Sequence, residues 1–248
     1  CGMDPKMVMA ELTGRSTGYS KGKGGSMHMF SKSEGFYGGH GIVGAQVPIG
    51  AGIAFANKYK NNKNVSFTYF GEGAANQGQV YETFNMASLW NLPVVFVIEN
   101  NQYAMGTPMD RASSSEEMFA RGLAFNIPGK AVNGMDVLEV SKEASDAADH
   151  CRMGRGPFIL EMKTYRYRGH SMSDPAKYRT REEVQKIREE KDPIDTLRSL
   201  LIKKHKISEK EFKAKDAEIK AIVTDASEFA LNSPEPNIEE LWTDVYAD

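Results

Sequence analysis

Little in this chain is extreme, and what is scarce narrows the reading first. There are two cysteines, Cys1 and Cys151. They lack the spacing of a zinc site and are too few for a disulfide framework, so both are read as reduced thiols in a reducing compartment. No apolar run approaches the roughly 20 residues that a helix needs to cross a bilayer. Neither sign of charge prevails: 31 Lys and Arg face 33 Asp and Glu, a formal net charge of -2. A nucleic acid or an anionic membrane surface finds no excess of positive charge to hold, so neither is expected as a partner. No charged n-region followed by an apolar h-region is present at the start of the sequence, so no signal peptide is expected within it, and internal repeats and low-complexity tracts are absent.

What remains is ordinary globular composition, 40% hydrophobic and 26% charged over 248 residues, enough for one large domain or two small ones. The chain opens inside what reads as a helix (residues 5–12), so a further N-terminal piece, with any targeting segment, is expected before Cys1.

The first forty-five residues are rich in Gly, Lys, Ser and His, which is loop chemistry. Residues 48–59 then read as a helix of small residues. Short apolar runs at 65–70, 94–98 and 158–167 read as strands, with helical patterns at 77–90 and 137–152. The run at 94–98 is apolar throughout, the mark of a strand covered on both faces. Strands alternating with helices predict an α/β fold with a doubly wound, mostly parallel sheet. Two turn-rich stretches, 106–131 and 168–181, interrupt the rhythm, and long loops of this kind are usually functional. From 180 onward charge dominates over three helical patterns (181–190, 193–204 and 209–229). The expected organisation is therefore a 1–180 α/β domain with a helical C-terminal region, 181–248, packed on it.

The central signal is Gly71-Glu72-Gly73-Ala74, followed 28 residues after Gly73 by Asn101. Alone, the glycine-flanked Glu72 reads as a tight turn with a surface carboxylate. Paired with Asn101, each just past an apolar strand, it reads differently, because ligands of open parallel sheets bind at the carboxyl ends of strands. If the two strands are neighbours, Glu72 and Asn101 point at one spot. A carboxylate and an amide oxygen, joined by a backbone carbonyl, are hard ligands suited to Mg2+, which commonly completes its shell with phosphate oxygens. Gly71 and Gly73 let the backbone approach an anion, and a following helix offers free N–H groups to it.

This pattern resembles the diphosphate-binding motif of thiamine diphosphate enzymes, a Gly-Asp-Gly followed some thirty residues later by Asn-Asn. Residues 21–29, 41–46, 74–79, 105–107, 165–175 and 233–236 extend the likeness over nearly the whole chain. They resemble the alpha subunits of thiamine diphosphate-dependent 2-oxo acid dehydrogenases, the pyruvate-using members most of all. The resemblance implies that Glu72, the side chain of Asn101 and the main-chain carbonyl of Tyr103 bind Mg2+. It implies that Gly71, Gly73 and Ala74 meet the diphosphate, that Gly41 and Val43 hold the aminopyrimidine through main-chain groups, and that Ser31 makes a further backbone contact. His170, unremarkable as a lone loop histidine, would reach the diphosphate from the 168–178 loop and is the candidate catalytic residue. His28 and His40 lie in Gly-rich segments that the family places near the site. Ser171 occupies the position that animal relatives phosphorylate, where added charge would repel the diphosphate or disorder the loop.

Two departures stand out. The family has Asp where this chain has Glu72; the extra methylene must retract, so weaker but persisting metal binding is expected. The family's Tyr-Arg pair that contacts the cofactor would lie before Cys1, so this stretch alone is expected to bind cofactor poorly. The reaction implied is oxidative decarboxylation of pyruvate with acetyl transfer to a lipoyl group, on the route from glycolysis to acetyl-CoA. The partners implied are a beta subunit, two alpha with two beta chains, and the lipoyl-bearing acyltransferase component of a multienzyme complex. The compartment implied is cytoplasmic in a bacterium and the mitochondrial matrix in a eukaryote. Alternatives are an alpha subunit acting on branched-chain 2-oxo acids or acetoin, or a non-catalytic alpha-like interaction subunit.

Overall fold

The structure, a computed structural model, describes residues 1–246. In chain order its elements are α1 (Pro5–Leu12), α2 (Gln46–Tyr59), β1 (Ser66–Gly71), α3 (Gly78–Leu89), β2 (Val94–Asn100), a hairpin of β3 (Tyr103–Ala104) and β4 (Thr107–Pro108), α4 (Met109–Ala112), β5 (Gly129–Asn133), α5 (Val137–Arg152), β6 (Phe158–Lys163), α6 (Arg181–Lys191), α7 (Pro193–His205) and α8 (Glu209–Asn232). Short 3-10 turns cover Ala74–Asn76, Met118–Phe125 and Ile238–Leu241.

Contacts divide the chain into two compact units, Cys1–Gly41 with His205–Asp248, and Ile42–Lys204. This differs from the division expected at residue 180. The composition shift there marks where solvated helices begin, whereas α6 and most of α7 fall in the same unit as the sheet.

The second unit is built on four parallel strands in the order β1-β2-β6-β5. β2 sits inside and reads as expected for a strand with both faces covered. Val94, Phe96 and Ile98 pack on one side with Phe70, Ile159, the α2 residues Val47, Ala51 and Ala54, and the α3 residues Val80, Phe84 and Ala87. Val95 and Val97 face the other way, with Leu160, Val132 and the α5 residues Ala147 and Cys151. This alternation follows from the two-residue period of a strand. Gly50 lets α2 lie close on β1, since a Cβ there would stand 2.6 Å from the Thr68 side chain. Burial pushes the Cys151 thiol up to about 12, so it behaves as a small core hydrophobe.

Most expected elements appear within a few residues of their positions. The differences lie in and just before the stretch read as a loop over 106–131, which carries β4, α4 and a 3-10 turn after the unexpected β3, and whose end carries β5. Its sequence, GKAVN, has one fully buried residue, Val132, and an edge strand needs no more. The third strand is shorter than the run 158–167, ending at Lys163.

In the first unit α1 begins with Asp4 capping the N–H of Lys6 and Pro5 opening the helix. It packs on α8, with Lys6 paired to Asp225 at 2.8 Å and lying over the Phe229 ring. α8 starts with a capping box between Ser208 and Glu211. Beyond α8, Ser16 donates to the Pro234 carbonyl and Thr17 to Ser233, which ties the 233–236 motif to the N-terminal loop.

Candidate functional site

β1 and β2 are paired neighbours, with Gly71 opposite Glu99. Glu72 follows the end of the first strand and Asn101 the end of the second, so both emerge at the same carboxyl edge. Glu72 is 3% exposed, and its Oε2 accepts the main-chain N–H of Asn101 at 3.3 Å. Its Oε1 is buried with no hydrogen-bond partner. Leaving a buried carboxylate oxygen unmatched is costly, and such an orphan calls for a ligand or a role.

Asn101 Oδ1 accepts the N–H of Tyr103 at 3.3 Å and lies 3.5 Å from Nη1 of Arg166. The hairpin β3–β4, turning through Met105 at φ 54 and Gly106, presents the Tyr103 carbonyl to the same guanidinium at 3.1 Å. Nη2 of Arg166 reaches the Met105 carbonyl at 2.6 Å and the Tyr178 hydroxyl at 2.9 Å. One planar cation therefore rests on several converging oxygens. Desolvation, and then the negative charge of Glu72, push the Glu99 carboxyl above its ordinary value. Glu72, Asn101 and Tyr103 offer a carboxylate with a free oxygen, an amide oxygen and a main-chain carbonyl, hard ligands of the kind Mg2+ takes, and in this structure the Arg166 guanidinium occupies the last two. Among the described residues no cluster of three or more His, Cys, Asp or Glu side chains offers another metal site.

Gly73 lies against the hairpin, where a Cβ would stand 2.5 Å from that of Ala104. After it comes the 3-10 turn Ala74–Asn76, and α3 starts only at Gly78, so the amides nearest the motif belong to a tight turn rather than to the helix. Val43 is 58% exposed, and its carbonyl accepts from Gln79 at 2.9 Å.

His170 is exposed on the 168–178 loop, and its main-chain N–H donates to Asp174 at 2.7 Å. Asp174 also accepts from the Ala176 N–H and the Tyr178 hydroxyl. The His170 and Ala176 amides, then Tyr178, hold the Asp174 carboxyl down at about 2. Arg179 pins the start of the loop by donating to the carbonyls of Arg166 and Arg168, and it stacks on Tyr165 at 5.1 Å. Ser171 is exposed, 3.0 Å from Ser173 between hydroxyl oxygens.

Two assigned residues belong to the first unit. Ser31 is bridged to Phe36 through both its N–H and its carbonyl, so its N–H is already committed. Gly41 is exposed and lies beside the His28 ring. His28 Nδ1 must be the donor in its 3.0 Å contact with the Gly39 carbonyl. The surrounding Gly-rich loop is organised by Glu11, fully buried, whose carboxylate accepts four main-chain N–H groups, from Ser20, Gly22, Gly24 and Gly25.

Arg166, Arg179 and Glu11 were not among the residues singled out from sequence. Arg166 had a signal, since it stands in the same 165–175 run that carries His170. Glu11 had none, because a Glu in a helical stretch reads as a solvated side chain.

A parallel sheet with a polar cluster at the carboxyl ends of adjacent strands defines an α/β chain of the kind that binds a ligand at the sheet edge. Comparison with known proteins narrows this. Residues 1–239 match the dehydrogenase E1 component family. Similar proteins include the pyruvate dehydrogenase E1 component subunit alpha of Rhizobium meliloti, 61% identical over 99% of this chain and 70% of that one. The protein of the same name from Zymomonas mobilis is 58% identical over 98% of this chain and 69% of its own length. The testis-specific mitochondrial form of Rattus norvegicus is 53% identical over 99% of this chain and 62% of its length. The chain belongs to the dehydrogenase E1 component family.

Proposed function

We propose that the chain is the alpha component of a pyruvate dehydrogenase, and that its sheet edge holds thiamine diphosphate through Mg2+. The observation that carries the metal assignment is the buried, unpartnered Oε1 of Glu72 beside Asn101. Glu72, the Asn101 side chain and the Tyr103 carbonyl would hold Mg2+, and Gly71, Gly73 and Ala74 would face the diphosphate. Gly41, Val43 and Ser31 would contribute main-chain contacts, for Ser31 through its carbonyl alone. Thiamine diphosphate, when bound, supplies the electron sink for loss of CO2 from a 2-oxo acid.

The residues of this chain bind, orient and exclude water. For Mg2+ to bind, Arg166 would release the Asn101 and Tyr103 oxygens, and its charge would then be free to face the diphosphate. His170 would reach the diphosphate from a loop whose shape is set by Asp174 and Arg179, and that loop would shield the site from water. A beta subunit would complete the site, as two alpha and two beta chains, and a lipoyl-bearing acyltransferase component would take up the acetyl group. The family includes bacterial and mitochondrial members, which supports a bacterial cytoplasm or a mitochondrial matrix. Among the described residues no helix is long and apolar enough to cross a membrane.

The test of substrate is a rate comparison among pyruvate, branched-chain 2-oxo acids and acetoin, using full-length alpha chain with its beta partner. Pyruvate should give the highest kcat/KM; preference for a branched acid or for acetoin would overturn the pyruvate assignment.

A further inference from the structure

Near the carboxyl ends of β2 and β6 lie two fully buried polar side chains, Asn100 and Glu161. The Asn100 amide nitrogen donates to Glu161 Oε1 at 2.7 Å, and Glu161 Oε2 accepts the Phe119 N–H at 3.1 Å. The other end of the Asn100 amide faces outward. Its Oδ1 accepts both the main-chain N–H of Gln102 at 3.2 Å and the Gln102 side-chain amide at 3.1 Å. Gln102 takes a left-handed backbone, φ 76, so this bond spans a sharp reversal of the chain. The residue enclosed by it is Asn101, and the next one out is Tyr103.

An Asn side chain can present either its oxygen or its nitrogen in a given direction, since the two ends have nearly the same shape. An ionised carboxylate only accepts. Glu161 therefore decides the matter, because only nitrogen-inward satisfies it, and nitrogen-inward puts the oxygen where the Gln102 N–H needs it. Main-chain N–H donation from Phe119 holds the other carboxylate oxygen, so Glu161 cannot turn away without leaving a part-buried donor unmatched. An apolar pair could fill this space without burying a charge, and burying one is favourable only where it is fully matched.

We propose that Glu161 is a positioning residue for the metal at the sheet edge. By locking the Asn100 amide it sets the chain reversal at Gln102, and that reversal places the Asn101 side chain and the Tyr103 carbonyl. The role rests on the metal reading given above.

The test is Mn2+ affinity, by electron paramagnetic resonance in the presence of thiamine diphosphate, on full-length alpha chain with its beta partner. Melting temperature is recorded in parallel. Glu161→Gln turns one acceptor into a donor facing another donor, and Mn2+ should bind about tenfold more weakly. The swap Glu161→Gln with Asn100→Asp restores the matches between the two side chains and to Phe119 and Gln102, losing only the weak 3.3 Å contact of the Asn100 amide with Met109 Sδ, and keeps one buried negative charge. It should return the affinity to within a few-fold of wild type, a recovery that a merely space-filling role would not give. Should Glu161→Gln alone fail to fold, Asn100→Ala carries the test, because it removes the amide through which Glu161 would set the Gln102 N–H. It should weaken Mn2+ binding by about tenfold as well. Unchanged Mn2+ affinity in folded Glu161→Gln, or in folded Asn100→Ala, would overturn the positioning role alone. A wild type that takes up no Mn2+ would overturn the metal reading, and this role with it.

Discussion

Three glutamates with one side-chain chemistry sit in three different environments. Glu11 and Glu161 are fully buried with their oxygens matched to N–H donors, whereas Glu72 is buried with one oxygen matched and one orphaned. The first two arrangements read as structural support and the third as a ligand position. Glu11 gathers four loop amides, so Glu11→Gln, which sets an NH2 group against two of them, should cost about 2–3 kcal/mol of stability. Chemical denaturation measures this, and a loss below about 0.5 kcal/mol would show that the Gly-rich loop holds its shape without the carboxylate. Glu72 and Asn101 were legible in the sequence because each directly follows an apolar strand and the spacing matches adjacent strands. Glu161 was not, since its partner lies 61 positions away and alternation within a strand does not reveal which polar residue faces inward.

At the scale of elements, apolar runs and helical periods located three of the four strands of the main sheet and the long helices of its unit, but not the hairpin β3–β4 or the short α4. β5 escaped because its contribution to the core is a single valine on an edge. The 168–178 loop was visible as a long polar stretch, but its internal order was not, since that order comes from one aspartate bonding forward and back. Asp174 titrates at about 2, below its ordinary 3.8, because its ionised form accepts three donors. A depressed carboxyl pKa means the bonded form is complete above the unfolded value. Loop order should therefore be full above about pH 4 and be lost as the pH falls toward 2. Limited proteolysis near neutral pH offers a cleaner readout. Asp174→Asn should make the loop more readily nicked, whereas equal resistance would show that other contacts hold it.

For the whole molecule, the likeness to E1 alpha chains runs through both units, from the Gly-rich loop organised by Glu11 to the 233–236 motif bonded to Ser16 and Thr17. Sequence pattern conveyed the fold class and the sheet edge at which Glu72 and Asn101 meet. It did not convey that the first forty-one residues fold with the end of the chain, because that association depends on α1 packing against α8, which no local pattern records. The proposed function requires Glu72 and Asn101 to share one divalent cation. Calorimetric titration of thiamine diphosphate into full-length alpha chain with its beta partner, with and without Mg2+, tests this most directly. Wild type and Glu72→Asp should bind the cofactor in a Mg2+-dependent way, and Glu72→Ala should lose at least about tenfold in affinity. A Glu72→Ala protein that binds as tightly as wild type, with the same need for Mg2+, would contradict it.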